Sequence, residues 1–162
     1  MATATRDQVE STATLDRGGK YLTFFLDQEE YGIEILTVRE IIGLMPVTTV
    51  PRSPHHVRGV INLRGQVIPV VDLRLKFSMP SVEDTEQTCI IVVHTGGAML
   101  GIVVDKVSEV LDIPDADIVD APTLGSEINA DYILGIGKSE GRVTMLLDIG
   151  QVFPTVEVAA LT

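Results

Sequence analysis

The chain reads as an all-β protein made of two tandem, similar five-stranded β-barrel subdomains packed together, with short helical turns and a mobile N-terminal tail. Three observations predict this. Apolar runs of strand length recur between turn signals, and no long apolar stripe follows the helical period. Aromatic residues make up only 4% of the 162 and Trp is absent, so the core must be mostly Val, Ile and Leu, which suit a pleated surface. The pattern also occurs twice.

Residues 1–19 are rich in Thr, Ala, Ser and charge, and are expected to form the tail. Strand pattern starts at "YLTFFL" (21–26), passes a polar "DQEE" turn and resumes at "YGIEI" (31–35), with a further run at 36–42. There follow "VTTV" (47–50), "GVIN" (59–62), "VIPVV" (67–71), "CIIVV" (89–93), "MLGIVV" (99–104), "VSEVLDI" (107–113), "YILGI" (132–136) and "VTMLL" (143–147). That makes about ten or eleven short strands, the spacing of a sandwich or barrel. Asp72 and Asp148 each precede a mixed apolar run and can cap the free N–H groups of a helical turn. Pro69 lacks an N–H and belongs at an edge or a bulge.

The repeat is carried by residue identities. "GIEILTVREI" (32–41) resembles "GIVVDKVSEV" (101–110) at an offset of 69, pairing Gly32 with Gly101, Val38 with Val107 and Glu40 with Glu109. Further on the offset is 76, pairing Gly59 with Gly135, Gly65 with Gly141, Val67 with Val143, Asp72 with Asp148 and Phe77 with Phe153. An insertion in the acidic segment "DIPDADIVDAPTLGSEINAD" (112–131) accounts for the change. Copies of about 65 residues are marginal alone, so the two are expected to share an interface and fold together. The expected limits are 20–80 and 87–156, joined by a polar linker at 78–88, with strand exchange left open and a short tail at 158–162.

Charge narrows the function. Residues 1–80 balance nine Lys/Arg against nine Asp/Glu, whereas residues 81–162 hold three against fourteen and carry the whole net charge of −11. Such a surface repels phosphate backbones and anionic lipids. The single cysteine, Cys89, cannot form an internal disulfide, which suits a reducing compartment. The N-terminus has no apolar core of a signal peptide, and no apolar run approaches the roughly 18 residues of a membrane span. A cytoplasmic protein is expected.

Chemistry-bearing patterns are weak. His55 and His56 follow Pro54 in a turn, read as exposed, and have no Cys/His/Asp cluster at ligand spacing. "GIGKSEG" (135–141) lacks the first glycine of a phosphate loop, since Tyr132 stands there, and reads as strand–turn–strand. "HTGGAMLG" (94–101) reads as a Gly-Gly hairpin. "DIPDADIVD" (112–120) lacks the Gly and final Glu of a calcium loop. Ser108 and Ser139 have no His nearby in sequence. No catalysis, cofactor or metal is expected.

The repeat offers a further test: what both copies share serves the fold. Arg64 is not shared, because its counterpart at offset 76 is Glu140. The hairpin accepts either sign of charge there, so the fold does not require arginine.

"GVINLRGQVIPVVDLRLKF" (59–77) resembles the most characteristic segment of the CheW family of bacterial chemotaxis coupling proteins, and "EEYGIEILTVREI" (29–41) and "GIVVDKVSEVL" (101–111) resemble its two related hairpin segments. The resemblance implies a CheW-like domain over 20–157 with two intertwined SH3-like barrels. It implies a non-catalytic adaptor that binds the cytoplasmic tips of chemoreceptors and the regulatory domain of the histidine kinase CheA. The adaptor would reach the membrane only through receptor arrays. Carried over by position, Val38, Glu40, Gly59 and Arg64 would serve the receptor-facing groove, with Glu40 and Arg64 close enough to pair. Cys89 and Val110 would mark a kinase-facing surface chiefly on the second barrel. Three alternatives stand beside this reading: an adaptor of a non-motility array, a small enzyme with an unrecognised carboxylate site, and a nucleic-acid-binding barrel, which the acidic second half opposes.

Overall fold

The computed structural model describes residues 16–120 and 132–153. Of the expected tails, 1–15 and 158–162 lie outside the described residues, as does most of the inserted segment; residues 16–19, also expected to be tail, are instead held in place, with Arg17 Nη1 2.9 Å from Asp120 Oδ1 and Gly19 opening the first strand. Among the described residues, eleven strands run in order: β1 Gly19–Leu26, β2 Glu29–Glu34, β3 Val38–Gly43, β4 Val57–Leu63, β5 Gln66–Asp72, β6 Cys89–Thr95, β7 Ala98–Val104, β8 Lys106–Ile113, β9 Ile118–Val119, β10 Ile133–Ser139 and β11 Arg142–Leu147. Two single-turn helices, α1 (Leu73–Lys76) and α2 (Ile149–Val152), follow β5 and β11. Asp72 and Asp148 cap them, accepting from the Leu75 and Gly150 amides. "VTTV" forms no strand of its own: Thr48 alone bridges to Val60.

The strands form a five-stranded sheet, β3-β6-β7-β5-β4, and a six-stranded sheet, β9-β10-β11-β2-β1-β8. The sheets do not follow the halves of the sequence. Hairpin β1–β2 joins the strands of the second half, and hairpin β6–β7 joins those of the first, so a division near residue 80 would separate strands that share a sheet. Each exchanged hairpin enters by a parallel pairing, Val70 with Gly101 in one sheet and Leu146 with Gly32 in the other. The repeated glycines Gly32 and Gly101 stand at these two junctions. Pro69 falls one residue before the β5–β7 ladder begins, so its missing N–H costs that ladder nothing.

Each sheet curls until its chain meets itself. In the first, the segment after β3 returns to β4, and Thr48 and Val60 exchange both backbone hydrogen bonds at 2.9 Å. In the second, β8 leads to β9, which pairs with β10 at Val119–Ile136, the same place by the offset of 76. Gly59 and Gly135 stand beside these closures. A Cβ on Gly59 would come within 2.0 Å of the Thr48 carbonyl oxygen, and one on Gly135 within 2.8 Å of the Val119 carbonyl oxygen. The shared glycines therefore serve close backbone approach.

Burial explains the unbroken apolar run of β6. Ile90 and Val92 fill the interior of the first barrel with Ile61, Ile68, Val70 and Val103. Ile91 and Val93 point the other way into a larger cluster shared by both barrels, with Phe24, Tyr31, Leu73, Phe77 and Phe153 among its members. A strand covered on both faces has no side left to be polar. His56 is also buried, against the sequence expectation of exposure; its ring lies 6.3 Å from that of Phe153, and its carbonyl accepts from the Asp72 amide.

Asp105, in the turn between β7 and β8, clasps the two barrels. It accepts from Arg74 Nε at 2.8 Å and from the Asp27 amide of the β1–β2 turn at 2.7 Å. Burial pushes the Asp105 carboxyl up, but these hydrogen bonds and the Arg74 charge outweigh it, and its pKa is lowered overall.

Gly59→Ala should open the Thr48–Val60 closure and destabilise the protein by about 3 kcal/mol or more. Gly65→Ala, strained in φ but free of contacts, should cost about 1 kcal/mol; chemical denaturation measures both. Because the folded pKa of Asp105 lies below its ordinary value of 3.8, its contribution should be complete above that pH and disappear as acid protonates the folded form. In Asp105→Asn, stability should fall less steeply below pH 4 than in the parent, as acid titration monitored by circular dichroism would show.

Candidate functional site: two barrels with two ion pairs

The β4–β5 and β10–β11 hairpins have the same two-residue turn. Leu63 pairs with Gln66 and Ser139 with Arg142. Arg64 and Gly65 have φ of 52° and 89°; Glu140 and Gly141 have 50° and 79°. Two positive φ values in succession mark a type I′ turn, which matches the twist of the flanking strands. It favours Gly second and tolerates a non-glycine residue first only at some cost.

At the first turn, Arg64 pairs with Glu40. Glu40 lies on β3 just after a register shift between Val38 and Glu40, while Arg64 comes from the hairpin on the opposite edge of the same sheet. Barrel closure brings them together. The Arg64 side chain remains 69% exposed and that of Glu40 31%. The other two residues expected on this face have different settings: Val38 is half-buried against the shared core, and Gly59 is buried beside the closing bridge. Sequence reasoning did not single out Leu36, on the turn before β3 and 90% exposed, and it placed Val67 among the residues shared by both copies, although Val67 is exposed on the hairpin strand after Arg64. Only tertiary burial distinguishes such residues from core leucine and valine.

The second barrel makes a related pair from a different arginine. Glu109, the repeat of Glu40, receives Arg142 Nη1 at 2.9 Å. Arg142 stands two positions past the counterpart of Arg64 and also reaches Glu30 at 3.3 Å. Glu30 is only 6% exposed and accepts weakly from the Thr144 hydroxyl at 3.5 Å. Arg142 therefore neutralises a buried carboxylate, whereas Arg64 has no such duty.

Cys89 lies in the five-stranded sheet, not on the second barrel, because its hairpin is one of the exchanged pair. It is half-buried; burial pushes its thiol pKa up, opposed by a hydrogen bond with the Val107 backbone of β8. Val110, on the same strand as Val107, is exposed. Two further arginines escaped the sequence reading. Arg58 bridges Asp72 at 2.9 Å and Asp84 of the linker at 3.0 Å, so Asp72 is an ion-pair partner as well as a cap. Arg74 holds Asp105. The only outward sign of either was a basic residue inside an apolar run.

A cavity of about 470 Å³ lies between the β1–β2 turn, Arg74, Asp105 and the linker. The Asp105 carboxylate in its wall is engaged by Arg74, which makes it a structural clasp. Among the described residues, no group of three or more His, Cys, Asp or Glu is placed to hold a metal ion, and no helix is long and apolar enough to cross a membrane.

Two interlocked barrels, closed on themselves and carrying charged and apolar residues on their outer surfaces, define a β-barrel scaffold. The chain belongs to the CheW family of chemotaxis coupling scaffolds: the family model for the CheW-like domain matches residues 20–157. It is 40% identical over 142 residues to the chemotaxis protein CheW of Klebsiella aerogenes, covering 88% of this chain and 86% of that one. It is 31% identical over 123 residues to protein FrzA of Myxococcus xanthus, covering 76% of each. The crystal structure of the scaffolding protein TtCheW from Thermoanaerobacter tengcongensis superposes with a TM-score of 0.79 at 30% identity, covering 86% of this chain and 95% of that one.

The two ion pairs should respond differently to truncation. Arg64→Ala should change stability by no more than about 0.5 kcal/mol, as for an exposed pair. Arg142→Ala strips a buried carboxylate of its partner and should cost about 1–2 kcal/mol, less than a fully buried pair because water reaches the guanidinium. Equal losses in urea denaturation would contradict this assignment.

Proposed function

We propose that this chain couples the cytoplasmic tips of chemoreceptors to the regulatory domain of the histidine kinase CheA, acting by binding and not by catalysis, in the cytoplasm and within membrane receptor arrays. Family membership supports an adaptor. The observation that carries the placement of the receptor side is the exposed Glu40–Arg64 pair, which the fold itself does not need. The second barrel achieves the same turn with Glu140 in place of Arg64, and its own arginine, Arg142, reaches the buried Glu30.

On this reading the receptor face comprises Val38, Glu40, Gly59 and Arg64 in distinct roles. Arg64 and Glu40 offer charge to orient a receptor. Val38 offers a partly exposed apolar surface seated on the core. Gly59 acts indirectly: it permits the closure that brings the two charges together, so its loss would disturb coupling without its touching a receptor. The kinase side is assigned to the neighbourhood of Val110 and Cys89. Exposed apolar area supplies affinity in such contacts, and adjacent charges supply register and specificity.

Arg64→Glu should leave the fold intact and weaken co-sedimentation with receptor-containing membranes by roughly tenfold, the effect of placing like charges together at a contact. Binding to purified CheA should change much less. Equal loss of both interactions would refute the division into faces, and failure of the wild-type protein to recruit CheA to receptor membranes would refute the coupling role.

A further inference from the structure

The amide of the second central residue in a two-residue hairpin turn has no place in the strand ladder. In the β4–β5 hairpin that amide belongs to Gly65, and it donates to Asn62 Oδ1 at 2.8 Å. Asn62 is exposed and stands two residues before Arg64. Its bond spans the turn and fixes the segment in which Arg64 holds a φ of 52°. In the β10–β11 hairpin the equivalent position, by the offset of 76, is Lys138, whose side chain has no acceptor. That turn nevertheless has nearly the same φ values. The fold therefore forms the turn without the asparagine, and the bond is present only in the hairpin that carries Arg64 opposite Glu40.

We propose that Asn62 is a positioning residue for receptor coupling: by binding the Gly65 amide it holds the turn so that Arg64 is presented beside Glu40, ready for a receptor. This rests on the receptor-facing role of Arg64. Asn62 acts through Arg64, and its contribution is preorganisation, which removes the cost of ordering the tip at the moment of binding.

A double-mutant cycle read by co-sedimentation with receptor-containing membranes tests this, using Asn62→Ala, Asn62→Asp, Arg64→Ala and the Asn62→Ala/Arg64→Ala pair in the full chain. Asn62→Ala should weaken receptor binding roughly two- to tenfold, the range spanned by the net worth of one hydrogen bond. Asn62→Asp keeps an acceptor and should bind within about twofold of the parent, a difference smaller than the loss of that bond. CheA binding should stay at the parental value in both, and the thermal midpoint should fall by no more than about 2–4 °C in Asn62→Ala, the shift expected for one hydrogen bond. In the Arg64→Ala background, Asn62→Ala should add no further loss. Hydrogen exchange at the Gly65 amide should quicken in Asn62→Ala and not in Asn62→Asp. If Asn62→Ala costs as much without Arg64 as with it, or leaves receptor binding unchanged while Arg64→Ala weakens it, the positioning role is overturned. If Arg64→Ala itself has no effect on receptor binding, the receptor-facing reading fails, and the role of Asn62 in coupling fails with it.

Discussion

The exchange of one hairpin by each half of the chain is the constraint on which the other features depend. Hairpin β6–β7 completes the first barrel and β1–β2 the second, so neither barrel can close on residues from its own half alone. The two parallel pairings that seat these hairpins bring β6 between two cores, and four successive residues, Ile90 to Val93, are fully buried as a result. Most of the large buried side chains, including Phe24, Phe77 and Phe153, lie in the cluster that both barrels share. Folding is thus expected to be cooperative across the whole domain, because loss of either barrel uncovers the common core.

Closure then converts this scaffold into a surface. A strand edge left open invites unwanted pairing, and a closed barrel removes it. Here closure is made by single short contacts, Thr48 with Val60 and β9 with β10, each beside a glycine that admits a neighbouring carbonyl oxygen. Closing the first barrel also brings the tip of one hairpin next to the edge strand across the seam, which is how Arg64 meets a carboxylate 24 residues earlier in the chain. In the second barrel a related arginine and carboxylate also meet at the surface, and the same arginine reaches the buried Glu30. Two copies of one pattern have diverged: in one the charge stabilises the domain, and in the other it remains available.

Much of this was legible in the chain. The alternation of short apolar runs with Gly, Asn and Asp turns indicated strands, and the two offsets identified Gly59/Gly135 and Asp72/Asp148 as framework residues. Capping of a single helical turn is the role the residue type suggested for the aspartates; the glycines stand at register shifts, and their close approach to a carbonyl at a seam is seen only in the structure. The same comparison separated Arg64 from its hairpin as a residue the fold leaves open. Strand exchange was left open by the sequence, but which hairpins exchange was not legible, since local periodicity says that a segment is a strand and not which strand lies beside it. Cys89 was accordingly placed with the wrong barrel. The repeat also could not show that Arg142 replaces Arg64 from two residues away, because an ion pair requires proximity in space and not equivalence in sequence.

Taken alone, the sequence determined the class of structure, its internal duplication, its turn and capping residues and its resemblance to chemotaxis adaptors. These depend on interactions between residues a few positions apart, or on pattern shared across the chain. Tertiary structure decided the partners: which hairpin completes which barrel, which carboxylate each arginine meets, and which of two similar arginines also serves a buried carboxylate. Those outcomes depend on distance and desolvation once distant segments are packed, and neither quantity is set by residue type.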